Sequence, residues 1–335
     1  MIKDFIRRNS WVWAALGSLV LWMIMGLYSG RLNLDSLITN AYTASFLAIV
    51  ALGQMLVVTT GRGAIDLSIP GVITLAAFVS MSIIGGSNAM FVPGLLVLIL
   101  MGALIGFLNG AMVIWLKIPS IITTMAMNYI LITMTLLINR GFNEFNTCGI
   151  LVWTIKKRLI GIPMVIYLVL ILAIFIHLLL TKTNFGRSLQ ALGQNLEAAR
   201  LAGVKVVRVE LLTYMFSSIL AAVAGMLISA RVGGAFLGMG STYMLETVAS
   251  IVIGGTLISG GRANTAGALA GSIFLGLIVT AMQIMGYAIG PQNVAKGALI
   301  IIVLMLGVTR SSKRALTSEP QAPQPPDQPA ASQLA

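Results

Sequence analysis

About ten mostly apolar segments, separated by short polar or glycine-rich gaps, run through almost the whole chain. Segments of roughly 17–25 such residues are long enough to cross a hydrocarbon core of about 30 Å as helices. Lipid leaves the backbone no solvent partner, so only helices or closed barrels can span it. The predicted spans are Trp11 to Tyr28, Ala41 to Thr60, Pro70 to Gly85, Phe91 to Leu116, Ile121 to Ile138, Ile162 to Leu180, Glu210 to Ala230, Met244 to Ile258, Thr265 to Met285 and Val294 to Val308. The eighth is short. The gaps carry turn-forming clusters such as Gly61-Arg62-Gly63, Gly85-Gly86-Ser87-Asn88, Gly260-Gly261-Arg262 and Gly290-Pro291. The expected fold class is therefore all-α, a polytopic transmembrane helical bundle.

Composition removes the soluble alternatives. With 58% apolar and 9% charged residues, the chain has too little polar sequence to cover its apolar segments in water. A net charge of +12 would suit nucleic acid, but the 21 Lys and Arg are scattered through short gaps without aromatic interleaving, so no nucleic-acid partner is expected. The charge is better read as topology, because basic loops favour the cytoplasmic side. Lys3, Arg7 and Arg8 before the first span, Arg310, Lys313 and Arg314 after the last, and the basic loop 182–208 then all fall on one side. That side is expected to be the cytoplasm, with both termini in it and the chain multi-pass in a membrane, which the family resemblance given below implies is a bacterial inner membrane. The loop Asn139 to Gly161 carries Arg140, Lys156, Lys157 and Arg158 yet must face outward if the count holds. Residues 1–314 form the transmembrane domain on this reading. The proline-rich stretch 315–335 has no means of burying a core and is expected to be a disordered tail.

Material for catalysis is scarce. The chain has no G-x-x-x-x-G-K-[ST] phosphate cradle, no H-E-x-x-H or G-x-S-x-G motif and one cysteine, Cys148. No catalytic or metal-binding residues are therefore assigned. Its single histidine, His177, lies close to the end of the sixth span, where an interfacial position suits it. Gly102, Gly106 and Gly110 recur on one face of the fourth span and Gly267 and Gly271 on the ninth, the spacing that lets helix backbones approach in lipid. Gly61-Arg62 and Gly261-Arg262, each between apolar runs, form an internal echo.

Three motifs carry more. In Gly186-Arg187 through Lys205, the positions Leu189, Leu192, Leu196 and Ala199 recur at helical spacing and predict a short amphipathic helix in the basic loop. Thr60 to Gly71 places Asp66 and Ser68 before Pro70, the order of a cap followed by a new helix. Such a break either lines a path or merely begins a span, with Arg62 near enough in sequence for a local ion pair. Glu246, near the start of the eighth span, suits either a solute hydroxyl or a pair with Arg231.

Glu197-Ala198-Ala199 with Gly203 resembles the EAA-x-x-x-G loop of ABC importer permeases. Thr60 to Gly71 is similar to the G-G-I-D-L-S-V-G stretch of ribose-type permeases, with Ala64 and Pro70 as departures. Val252 to Arg262 is similar to their V-I-G-G-T-S-L-S-G-G-R stretch, with Leu257-Ile258 in place of Ser-Leu. The resemblance implies a permease subunit that uses Gly186, Arg187, Glu197, Ala198, Ala199 and Gly203 as a cytoplasmic coupling helix against a separate ABC ATPase subunit. It implies a periplasmic solute-binding protein and a second permease copy or related permease as further partners, beside the bilayer. No cofactor is then expected in this chain, ATP belonging to the partner, and a pentose, hexose or similar polar solute is the expected cargo. Asp66, Ser68, Asn109, Asn128 and Glu246 are the candidate path residues, with Gln283 as a further hydroxyl partner. The alternative is an ion-coupled secondary transporter using Asp66, Glu246 and His177; a membrane-embedded enzyme ranks behind both.

Overall fold

The computed structural model describes residues 11–30, 33–142, 146–288, 290–298 and 301. Its elements follow the rule that backbone groups in lipid must bond within their own segment. In chain order they are α1 (Trp11–Ser29), α2 (Leu34–Thr59), α3 (Ile69–Ile84), α4 (Phe91–Trp115), α5 (Ser120–Asn139), α6 (Gly149–Lys156), the strands β1 (Arg158–Leu159) and β2 (Ile162–Pro163), α7 (Met164–Lys182), α8 (Asn184–Gln194), α9 (Leu196–Leu201), α10 (Val206–Val232), α11 (Tyr243–Ile253) and α12 (Thr265–Ile284). Among the described residues, seven helices are long and apolar enough to cross a membrane. The all-α polytopic fold expected from the sequence is the one observed.

Nine predicted spans coincide with α1–α5, α7 and α10–α12. The tenth, from Val294, is helical over 294–298 and at 301, and its remainder lies outside the described residues, as does the tail 315–335. Several helices outrun their apolar stretch: α2 starts seven residues before Ala41, after Asn33, whose side chain accepts the Ser36 N–H at 2.9 Å. α11 stops earlier than predicted, at Ile253, because Gly254 and Gly255 turn the chain, Gly255 with φ 89°.

Three helices form the centre. Much of α2, α3 and α10 is buried on every side, while α1, α4, α5 and α7 present large apolar side chains outward, as lipid-facing helices do. α10 packs on α4, α3 and α2, and α12 packs on α1, α2 and α11. Close approach on α4 and α12 needs glycine as predicted: a Cβ on Gly106 would fall 2.3 Å from the Tyr214 carbonyl oxygen, and one on Gly271 would fall 1.9 Å from that of Ser250.

The two short helices meet. α3 has 16 residues and α11 has 11, each preceded by irregular chain. The Gly240 N–H donates to Thr74 Oγ1 at 3.1 Å, and a Cβ on Gly240 would lie 2.2 Å from the Pro70 carbonyl oxygen. The break ahead of α11 is thus seated against the first turn of α3.

The end of the basic segment 139–161 lies away from α8 and α9, with Arg158 3.6 Å from Asp35 at the start of α2, whose other end meets α8. Its helix α6, absent from the sequence reading, buries Leu151 and Ile155. A two-residue hairpin follows through Ile160 (φ 53°) and Gly161 (φ 80°), so the sixth span starts at Met164 rather than Ile162.

Candidate functional site

Between Ile65 and Ser68 the chain is irregular, and side chains rather than backbone carbonyls accept its N–H groups. Ser120 Oγ accepts the Ile65 N–H at 3.2 Å, Gln54 Oε1 that of Asp66 at 3.3 Å and Thr124 Oγ1 that of Leu67 at 2.9 Å. Asp66 Oδ1 accepts the Ser68 N–H at 3.0 Å, and Asn128 Oδ1 the Gly71 N–H at 2.8 Å. Irregular backbone at membrane depth is tolerated only with such partners.

Asp66 is the hub of this cluster. Its Oδ1 also accepts the Ser68 hydroxyl at 2.5 Å, its Oδ2 accepts the Ser217 hydroxyl of α10 at 2.8 Å, and Asn109 Nδ2 of α4 donates to Ser68 Oγ at 2.8 Å. Four candidate path residues, Asp66, Ser68, Asn109 and Asn128, are therefore buried together, each bonded to another or to the broken backbone. The sequence reading missed Gln54, Ser120, Thr124 and Ser217. Their signal was a polar side chain inside an apolar run, which single positions do not rank.

Both charge pairings anticipated for this region are corrected. Arg62 pairs with Glu210 of α10 rather than with Asp66. Glu246 pairs with Lys296 at 2.6 Å, both largely buried, rather than with Arg231. Arg231 instead sits over the rings of Tyr42 and Phe46, 5.1 and 5.0 Å from their centroids. Glu246 and Gln283 lie apart from the Asp66 cluster, and His177 Nδ1 stands 3.1 Å from Thr265 Oγ1.

The second constellation is the 184–203 segment. The predicted single amphipathic helix is two, broken at Asn195 (φ −157°, ψ 111°), because that side chain caps α9 by accepting the Ala198 N–H at 3.0 Å. Leu189, Leu192 and Ala199 are buried as the spacing predicted, while Arg187, Glu197 and Ala198 are exposed. Arg200 Nη1 lies 3.3 Å from Glu197 Oε1, and Arg187 Nη2 donates to Asn184 Oδ1 at 2.6 Å. Gly203 (φ 80°) ends α9 in a Schellman turn: its N–H donates to the Arg200 carbonyl and that of Val204 to the Ala199 carbonyl, both at 3.0 Å.

Glycine seats this segment on the bundle. A Cβ on Gly186 would lie 2.2 Å from the Leu180 carbonyl oxygen of α7. One on Gly193 would lie 2.0 Å from the Thr59 carbonyl oxygen and 2.3 Å from the Gly261 nitrogen, and the Gly261 N–H donates to Thr59 O at 2.9 Å. The end of α2, the turn before α12 and the end of α8 thus converge on one backbone junction. The echo Gly61-Arg62 and Gly261-Arg262 brings its two copies together here: a Cβ on Gly260 would be 2.3 Å from Gly61 Cα.

A bundle of apolar helices with two broken spans and one exposed helical pair at an end is an architecture that membrane transport proteins use. The family model described as "Branched-chain amino acid transport system / permease component" matches residues 36–308, and the chain belongs to that family. It is 29% identical over 280 residues to the ribose import permease protein RbsC of Escherichia coli (strain K12), covering 82% of this chain and 86% of that one. It is also 29% identical over 314 residues to the autoinducer 2 import system permease protein LsrC of Shigella flexneri, covering 91% and 88%. No solved structure matches the chain.

Proposed function

We propose that the chain is the membrane-spanning subunit of an ATP-driven importer for a sugar or similar small polar solute, working with a separate ATPase subunit, a periplasmic solute-binding protein and a second permease copy or related permease. The observation that carries this reading is the α8–α9 pair, exposed through Arg187, Glu197 and Ala198 and seated by glycine backbone contacts on α7, α2 and the turn before α12. A partner bearing on the exposed face moves three parts of the bundle at once. Relatives named for ribose import and autoinducer 2 import support a sugar or similar small polar cargo. On this reading α8 and α9 face the cytoplasm of a bacterial inner membrane, ATP is bound by the partner, and segment 139–161 faces the binding protein.

Ion coupling is the weaker alternative because its three groups are already engaged. Asp66 holds three donor contacts, Glu246 is bound to Lys296 and His177 contacts Thr265. The path role of Asp66, Ser68, Asn109 and Asn128 is retained as support of the break that a path would require. The test is uptake of labelled ribose into proteoliposomes holding the permease, its ATPase subunit and the binding protein. Uptake should need ATP, survive ionophores and vanish in Glu197→Lys, with membrane insertion intact. Ionophore-sensitive uptake without ATP, or normal uptake in Glu197→Lys, would overturn the reading.

A further inference from the structure

A cavity of 1110 Å³ opens at the α8–α9 end of the bundle, between α4, α10 and the loops 116–119 and 202–205. Its lining holds five cations, Arg62, Lys117, Arg200, Lys205 and Arg208, and one acid, Glu210. Glu210 is taken up by Arg62, and Arg200 by Glu197. Lys117, Lys205 and Arg208 are exposed and form no ion pair among the described residues. Three like charges around one cavity repel one another unless an anion lies between them.

The other wall is apolar. Phe107 and Trp115 of α4, packed edge to face with centroids 5.9 Å apart, line it together with Leu211 and Met215 of α10. Both helices cross the membrane, and a half-exposed Trp beside unpaired cations marks the level where hydrocarbon gives way to headgroups. A soluble anion or an acidic protein loop matches only the basic rim. An amphiphile with a phosphate at one end matches both walls.

We propose that this cavity binds an anionic phospholipid, its phosphate among Lys117, Lys205 and Arg208 and an acyl chain along Phe107 and Trp115. Lys117 adopts φ 54°, a left-handed conformation that glycine takes without strain. Lys117→Gly therefore removes the charge while relaxing the backbone, a variant that folding failure does not confound.

The experiment titrates the purified full-length chain, in uncharged detergent, with phosphatidylglycerol and with phosphatidylcholine, reading retained lipid by native mass spectrometry. Phosphatidylglycerol should bind more tightly than phosphatidylcholine. Lys117→Gly should weaken it about fivefold and the triple variant Lys117→Gly/Lys205→Gln/Arg208→Gln about 100-fold, from the roughly constant worth of each cation near an anionic lipid. Lys156→Gln/Lys157→Gln, at the opposite end, should leave it unchanged. Equal binding of both lipids, or an unaltered triple variant, would overturn the proposal. So would glycerol phosphate competing as well as the lipid, which assigns the rim to a soluble anion.

Discussion

Replacing Gly193 by alanine tests whether α8 is fastened rigidly to the bundle. The added methyl would lie 2.0 Å from Thr59 O and 2.3 Å from Gly261 N, both backbone atoms that no side-chain rotation can clear. Since native Cβ atoms keep at least 3.0 Å, α8 must retreat by about 1 Å in an interior with no slack. Overpacking of this kind costs about 1–3 kcal/mol. Disturbing the Gly261 N–H to Thr59 O bond adds about 1 kcal/mol. The sum, about 2–4 kcal/mol, should lower the apparent Tm of the purified permease by about 3–6 °C. In proteoliposomes with the partner subunits, uptake should fall at least tenfold while ATP hydrolysis persists, because a loosened seat no longer transmits the partner's movement. Gly141→Ala is the comparison, since its Cβ meets nothing within 4 Å and its φ is not left-handed. Wild-type Tm and uptake in Gly193→Ala would refute the argument that the junction is tight and transmits force.

The remaining predictions concern the buried polar groups. Asp66→Asn places an amide against three donors, Ser68 N–H, Ser68 Oγ and Ser217 Oγ, and should cost about 1–3 kcal/mol, seen as a lower Tm at unchanged membrane insertion. Glu246→Gln and Lys296→Met should each destabilise by leaving one largely buried charge alone, and the double variant should recover most of the loss; additive effects in the thermal unfolding cycle would contradict the pairing.

The membrane fold was legible because one signal, the apolar run, sets both solvent and element length. The start of α2 was not, because helix continues past the apolar stretch where a cap such as Asn33 accepts the Ser36 N–H in its first turn. The 184–203 segment showed both sides of this: burial of Leu189, Leu192 and Ala199 followed from spacing alone, whereas the break at Asn195 depended on which group its side chain accepts. The Asp66 cluster was half legible. Asp66 and Ser68 stand out within an apolar region, but their partners Asn109 and Ser217 sit 41 and 151 residues away from the groups they bond, and a single sequence does not encode such pairings locally.

The same contacts say how a push on α8 could reach the centre. Gly193 bears on Thr59, whose chain runs on through Gly61 and Arg62 to Asp66 and then α3. That segment is tied to α10 twice, by Arg62 with Glu210 and by Asp66 with Ser217. Gly193 bears equally on Gly261, which follows α11, and the break ahead of α11 is bonded to α3 through Gly240 and Thr74. Both short helices are therefore reached from α8 through backbone contacts at Gly193 and the single Gly240–Thr74 hydrogen bond. A close-packed interior shifts between arrangements rather than deforming continuously. Movement of α8 should accordingly displace α3 and α11 together, making the Pro70–Gly240 contact the place where opposite ends of the bundle are mechanically joined.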